Sequence, residues 1–379
     1  MLYCEPTPLT CFKRAGIRLM LVIALLEFAI AFDVRAQSQT LVSPSGKFEP
    51  AERNAVIDTL VKNVNDYYVF PEVARKMSDV LRQHQKHRDY DTVTNREVFA
   101  KMLTADLQSI SKDGHLGVDY SATPITDEHP GAPSEDVVNQ FRKTWAMANF
   151  CFKKVEHLDG NVGLLQLDAF FPADWIKEIA AGSMQFLANS DAIIIDLRRN
   201  HGFAPDGVQL IESYFFNDPV HLADDHNRDA NIVNQMWTMP TVPGPKLPNI
   251  DLYILVSKDC FSASEDFAYN LQSQGRAKVI GEVTGGGAHG TKPYKIGTYF
   301  TASIPFDYEV NTVTHTDWEG KGVQPDVKVP ADQALLTAQI MAIQAQIKRF
   351  EIDIERVSKL QKIAEQKQKE LDALKSKAN

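Results

Sequence analysis

DLYILVSKDC FSASEDFAYN LQSQGRAKVI GEVTGGGAHG, residues 251–290, is the stretch from which the fold can be read. The apolar run Leu252–Val256 suits a buried strand and stops at Ser257-Lys258-Asp259-Cys260. Ser262 then opens a helical pattern with Phe267, Ala268 and Leu271 on one face, Gly275 ends it, and Val279-Ile280 begin another strand. A serine at a strand-to-helix junction lies beside backbone N–H groups that have no partner inside the helix and can stabilise developing negative charge. The same Ser262-Ala263-Ser264-Glu265 also fits S-x-x-E, a capping box that implies no chemistry. This window alone leaves both readings open.

Working outward, Ala192–Leu197 is a second continuous apolar strand, followed by the turn Arg199-Asn200-His201-Gly202 and a helix over 207–216. Gly160-Asn161 is a hairpin turn between strands at 151–155 and 162–167, and 175–187 is helical. Strands alternating with helices from 160 to 290 predict an α/β core with buried central strands. Residues 298–304 and 308–314 alternate and are expected as strands near its rim, whereas 217–250, rich in Asp and Asn, read as a surface excursion. Upstream, helical stripes at Ile57/Leu60/Val61/Val64, Val73/Met77/Leu81 and Phe99/Met102/Leu103/Leu107 predict a three-helix bundle, closed by a short strand over 116–120. The expected organisation is a leader over 1–36, a linker over 37–49, an N-terminal helical domain over 50–120, a connector over 121–140, the αβ core over 141–333 and a C-terminal helix over 334–379. In that last helix Leu336, Ile340, Ile343, Ile347, Phe350, Ile354 and Val357 recur at heptad spacing, which suits either a homo-oligomer or packing against the chain's own body.

The 379 residues are 44% hydrophobic and 23% charged, an ordinary globular composition, and the formal net charge of -9 argues against a nucleic-acid partner. Lys13, Arg14 and Arg18 precede an apolar run from Leu19 to Phe32, and Val34-Arg35-Ala36 resembles a cleavage site, so export to a periplasm or to the outside is expected. No other stretch is long and apolar enough to span a membrane. Of the four cysteines, Cys4 and Cys11 fall in the leader; Cys151 and Cys260 read as buried free thiols, with a single disulfide the alternative.

Four motifs lie in one order: DGHL (113–116), AIIIDLRRNHG (192–202), FSASEDFAYNLQSQGRAKVIGEVTGGGA (261–288) and WEGKGVQPDVKV (318–329). Together they resemble the tail-specific, or C-terminal-processing, serine protease family over about residues 50–335. The resemblance implies a crotonase-like αβ core behind an N-terminal helical domain, with peptides or proteins as substrates and neither metal nor organic cofactor. In the family's serine–lysine form the lysine follows the nucleophile at a fixed interval, and the matching position in this chain is Gly287; Lys278 and Lys292 are out of register. The other form resembles the tricorn core protease and the repeats of interphotoreceptor retinoid-binding protein. It implies Ser262 as nucleophile, His115 as general base, Glu319 as the acid that orients the imidazole, and the backbone N–H groups of Gly202 and Ala263 as the oxyanion hole.

Each residue also has an ordinary use. Ser262 suits a helix cap, His115 a loop, Glu319 a solvated turn, and Gly202 a turn with positive φ. His201 and His289 are the other histidines in defined settings. The chain departs from the family where His201 and Phe203 replace small residues and where Gly114, not serine, precedes the histidine. The retinoid-binding relatives supply the competing expectation, a catalytically inactive binder of an apolar ligand or peptide on the same fold.

Overall fold

The computed structural model describes residues 48–125, 134–228 and 230–378; the expected leader and most of the linker lie outside them. In chain order the elements are α1 (Pro50–Tyr67), α2 (Pro71–His87), α3 (Arg96–Ser111), β1 (Gly117–Tyr120), α4 (Glu135–Met147), β2 (Phe152–Leu158), β3 (Val162–Leu167) and α5 (Ala173–Leu187). They continue with β4 (Ala192–Asp196), α6 (Pro205–Ser213), β5 (His221–Asn227), β6 (Ile232–Trp237), β7 (Asp251–Val256), α7 (Ala263–Ser273) and β8 (Lys278–Gly281). The last are β9 (Thr291–Gly297), β10 (Phe300–Pro305), β11 (Asp307–Asn311), β12 (Val327–Lys328), α8 (Ala334–Arg349) and α9 (Ile354–Ala378). The chain divides into two units, Met1–Phe141 with Gly290–Phe306 and Arg142–His289 with Asp307–Asn379.

In the first unit the three expected helices pack with an antiparallel sheet of order β1-β10-β9. Leu60, Val64, Met77, Leu81, Phe99, Leu103 and Leu107 are buried as their spacing predicts. Residues 290–306, expected in the αβ core, belong here instead. Phe300, Ala302 and Ile304 alternate onto one buried face of β10, and the Phe300 ring meets Phe99 edge-on at 5.9 Å. Alternation told that these residues form a strand but not which helices the strand covers.

The second unit is built on a six-stranded sheet of order β12-β8-β7-β4-β3-β2, parallel except for the β2–β3 hairpin. Its apolar runs are buried on both faces. Ala192, Ile194, Tyr253, Leu255 and Ile280 lie with α8 residues Ala334, Ala338, Ala342 and Ile343 in one cluster. Ile193, Ile195 and Ile254 are equally buried from the other residues of the same strands. The fold is therefore mixed α/β with a helical N-terminal region.

Two expectations fail in this unit. Residues 217–250 are not irregular: β5 and β6 pair with each other and β5 with β11 in a second antiparallel sheet. Its strands carry Asp and Asn at many positions, and β5 finds one of its two partners, β11, far along the chain, so local periodicity is weak. The tail is two helices, not one. Asp353 ends the turn after α8 and starts α9, its side chain accepting from the Arg356 N–H at 3.0 Å and its carbonyl from Val357 at 2.9 Å. Arg356 sits 3.5 Å over the Phe350 ring. The heptad seam is thereby broken, with Ile343 buried in the body and Ile354 81% exposed. Among the described residues no helix is long and apolar enough to cross a membrane.

Gly207 stands in the first turn of α6, where a Cβ would lie 2.1 Å from the Phe171 carbonyl oxygen. Alanine normally stabilises a helix over glycine by about 1 kcal/mol. Here the expected sign is reversed, with Gly207→Ala losing about 1–3 kcal/mol through overpacking. Urea denaturation with an unchanged m-value checks this; a stabilised variant would show that the helix does not press on Phe171.

Candidate active site

The link from β7 to α7 is drawn tight by short-range polar contacts. Cys260 N–H donates to the Ser257 carbonyl at 3.1 Å, and the Cys260 thiol donates to the Leu197 carbonyl at 2.9 Å. Ser264 Oγ accepts from the Phe261 N–H and donates to the Asn200 carbonyl, both at 2.9 Å. Between these anchors Ser262 takes φ 60° and ψ -130°, a conformation that costs an L residue about 1–3 kcal/mol. The S-x-x-E capping box is present, with the Ser262 N–H donating to Glu265 Oε2 at 2.9 Å.

Glu265 does more than cap. Fully buried, it also accepts from the Thr284 hydroxyl, from Gly286 N–H at 2.7 Å and from Gly287 N–H at 2.8 Å. Burial pushes its pKa up, and these four donors pull it back. Thr284 Oγ in turn accepts from Val323 N–H at 2.7 Å, so one carboxylate ties the serine elbow to the Gly285-Gly286-Gly287 loop and, through Thr284, to Val323. The sequence showed Glu265 only as half of a cap; its further partners lie beyond the end of α7 and the strand β8, outside the reach of any local pattern.

Gly202 packs directly on this elbow. Its φ is 92°, and a Cβ there would lie 2.8 Å from both Ala263 N and Phe261 O. The Gly202 N–H, expected as an oxyanion donor, donates to Asn200 Oδ1 at 2.8 Å. Asn200 is fully buried and its Nδ2 donates to the Leu167 carbonyl at 3.2 Å. The N-x-G spacing is the sequence signal for this side-chain turn. Ala263 is the first residue of α7, and its N–H is among those without an intrahelical acceptor. Phe203, at φ 121°, turns its ring onto Phe171 at 5.2 Å.

Glu319 and His289 come together in the same unit. Glu319 Oε2 accepts from the Ala288 N–H at 2.6 Å and lies 3.6 Å from Nδ1 of the buried His289. The Trp318 indole donates to the Gly287 carbonyl at 2.7 Å and Gly320 N–H to the Gly286 carbonyl at 2.9 Å, which fixes this loop pair. His115 belongs to the other unit. There its N–H donates to Asp113 Oδ1 at 3.0 Å, and Asp113 Oδ2 accepts from the Tyr68 hydroxyl at 3.2 Å. His201 is exposed.

Cys151 and Cys260 are free and buried, with pKa values pushed by burial up to about 11 and about 12, so neither is a thiolate nucleophile. A cavity of about 610 Å³ opens beyond the carboxyl ends of β3, β4, β7 and β8, lined by Asp196, Arg198, Ser257, Lys258 and Glu282 among others. That end of a parallel sheet is where α/β folds bind ligands.

A profile of Peptidase family S41 matches residues 161–329, and one for the N-terminal domain of Peptidase_S41 in eukaryotic IRBP matches 50–154. A carboxyl-terminal-processing protease of Picosynechococcus sp. is 26% identical over 216 residues, 56% of this chain and 50% of that protein. The chain thus spans about half the length of the curated relative it matches. A putative peptidase from Parabacteroides merdae aligns with TM-score 0.51 at 15% identity over 74% of this chain and 90% of its own. A lipoprotein from Streptococcus agalactiae aligns with TM-score 0.50 at 12% identity over 78% and 97%. At these identities the two structures speak to the fold alone.

Replacing Glu265 tests the carboxylate clamp. Glu265→Gln keeps the size but loses the charge and leaves at least one buried N–H donor facing another donor. The expected loss is about 1–3 kcal/mol by denaturant unfolding, and larger for Glu265→Ala. Wild-type stability in both variants would remove Glu265 from its place.

Proposed function

Because the chain belongs to peptidase family S41, a family of serine-type hydrolases, we propose that it cleaves peptide bonds with Ser262 as nucleophile. The observation that carries this reading is the strained elbow. A serine held at positive φ, at the N-terminus of a helix and against a glycine turn, is arranged for attack on a carbonyl. Attack by Oγ gives a tetrahedral intermediate, whose oxyanion is held by the Ala263 N–H at the start of α7 and by the Gly202 N–H once the substrate oxygen displaces Asn200 Oδ1. A histidine takes the serine proton and returns it to the leaving amine. The motif resemblance assigns that role to His115, with Glu319 as the orienting acid. A second reading of the base rests on the buried pair of His289 with Glu319, which shares a unit with Ser262. The wider proposal is a crotonase-like core, exported through the 1–36 leader, acting on peptides or proteins.

An alternative is a binder without turnover, favoured by the engagement of Gly202 N–H with Asn200. An active-site serine probe separates these readings. The wild-type chain should label and Ser262→Ala should not; equal labelling of both sinks the nucleophile. Loss of the true base should slow labelling about 10²–10⁴-fold. His115→Ala and His289→Ala, measured side by side, name the base by which of them falls that far.

A further inference from the structure

The first turn of α7 carries a second acid beside Glu265. Asp266 is buried, and two further acids lie around its carboxyl. Glu212 on α6 is fully buried, and both of its carboxylate oxygens are shut from solvent with the Asn270 amide as their one polar contact. Glu309 on β11 is half-buried as a residue, but its Oε1 is sealed from solvent and unpartnered. Asn270, one turn on from Asp266 and fully buried, donates from Nδ2 to Asp266 Oδ1 and accepts at Oδ1 from Asn311 at 2.9 Å. The Asp266 carboxyl accepts a hydrogen bond from Glu309, and its charge pushes the Glu212 pKa up across the α6–α7 contact.

The remaining charges facing this group make matters worse for an anion. Asp307 on β11 and Asp225 on β5 both act on Glu309. On β8, Lys278 is drawn to Asp326 at 3.8 Å and stands 63% exposed. None of Glu212, Asp266 and Glu309 is ion-paired among the described residues. Several like charges sharing a sealed site cannot all ionise, and two carboxyls in contact need a proton between them.

We propose that Asp266 is a positioning residue for Ser262: Glu309 holds the shared proton and donates it to the Asp266 carboxyl, and with Glu212 also protonated the three acids let α7 pack on α6 and β11. Losing these protons places repelling charges under the helix whose N-terminus carries the serine. The proposal rests on the nucleophile reading only in its last step, from helix to serine.

The pH dependence has a definite sign. An aspartate in the unfolded chain ionises near 4. Burial first, offset by contacts to Glu309 and Asn270, pushes folded Asp266 up to about 7. Between those values the unfolded state binds fewer protons, so stability is full below about pH 4 and is lost as pH rises through about 7. Burial and its acidic neighbours raise Glu212 and Glu309 as well, which extends the loss upward.

The experiment compares full-length wild type with Asp266→Asn, which keeps the shape without the charge, and with Glu212→Gln in case the first variant fails to fold. Melting temperature is followed from pH 5 to 9, and the serine-probe labelling rate from pH 6 to 9. Wild type should lose several degrees across the range, and a neutralised variant should lose distinctly less. The labelling-rate ratio of variant to wild type should rise on the order of tenfold from pH 6 to 9, a change that a uniformly weakened helix would not give. Parallel melting curves for wild type and a folded variant overturn the proposal. So does a rise in wild-type melting temperature with calcium or magnesium alone at pH 8 that Asp266→Asn abolishes, because the cluster would then be a cation site. Diverging melting curves with no labelling of Ser262 at any pH overturn the nucleophile reading and the step from helix to serine, and leave the shared protons standing.

Discussion

The carboxylate of Glu265 is the constraint on which the site depends. It takes hydrogen bonds from Ser262 N–H, the Thr284 hydroxyl, Gly286 N–H and Gly287 N–H while wholly shut from solvent. Hydrogen bonds to a charged group are worth about 1.5–3 kcal/mol each. Together they exceed the roughly 1–3 kcal/mol which Ser262 gives up by adopting positive φ. The strain is therefore held by charge on one residue of the same capping box. Without that acceptor the three backbone N–H groups would be left without their partner and the elbow would have no reason to keep its shape.

Neighbouring acids on α7 illustrate how environment assigns a state to a residue type. Glu265 faces four donors and is suited to be an anion. Asp266 faces Glu212, Glu309 and a single amide, and is suited to be neutral. Both are buried, so desolvation raises the pKa of each; the difference lies in what their oxygens meet. The same turn of helix thus presents a charged clamp on the elbow side and a proton-bearing contact on the side of α6 and β11.

What the sequence disclosed follows the range of the interactions involved. The strands at 192–196 and 251–256 were legible because parallel strands covered on both faces must be apolar throughout, which needs no knowledge of partners. Ser262, Ala263 and the helix after them were legible for the same reason, since cap and helix are local. The hairpin of β5 and β6 was not, because its Asp- and Asn-rich strands are defined by pairing and by β11. The heptad spacing of the tail runs on through residues that a single capping aspartate, Asp353, takes out of register. Asn200 is legible as part of a turn, but that its side chain engages the Gly202 N–H depends on the turn's dihedral angles. The shift of 290–306 into the first unit depends on Phe300 meeting Phe99, a contact between the two separate segments of that unit.

Glu319 shows what local geometry adds to a role taken from a motif. Its Oε2 is already bound by the Ala288 N–H at 2.6 Å, which fixes the carboxylate against the loop of His289. The imidazole Nδ1 stands at 3.6 Å, beyond a hydrogen bond for a neutral ring. An ion pair is the interaction that gains at this separation, and it forms only when the ring carries a proton. A carboxylate that holds a neutral imidazole loosely and a protonated one firmly favours the charged state over the resting state. That differential is what a general base requires of its partner acid, because catalysis rewards only contacts stronger in the transition state than before it. In the reading that makes His289 the base, this asymmetry is what Glu319 would supply to it.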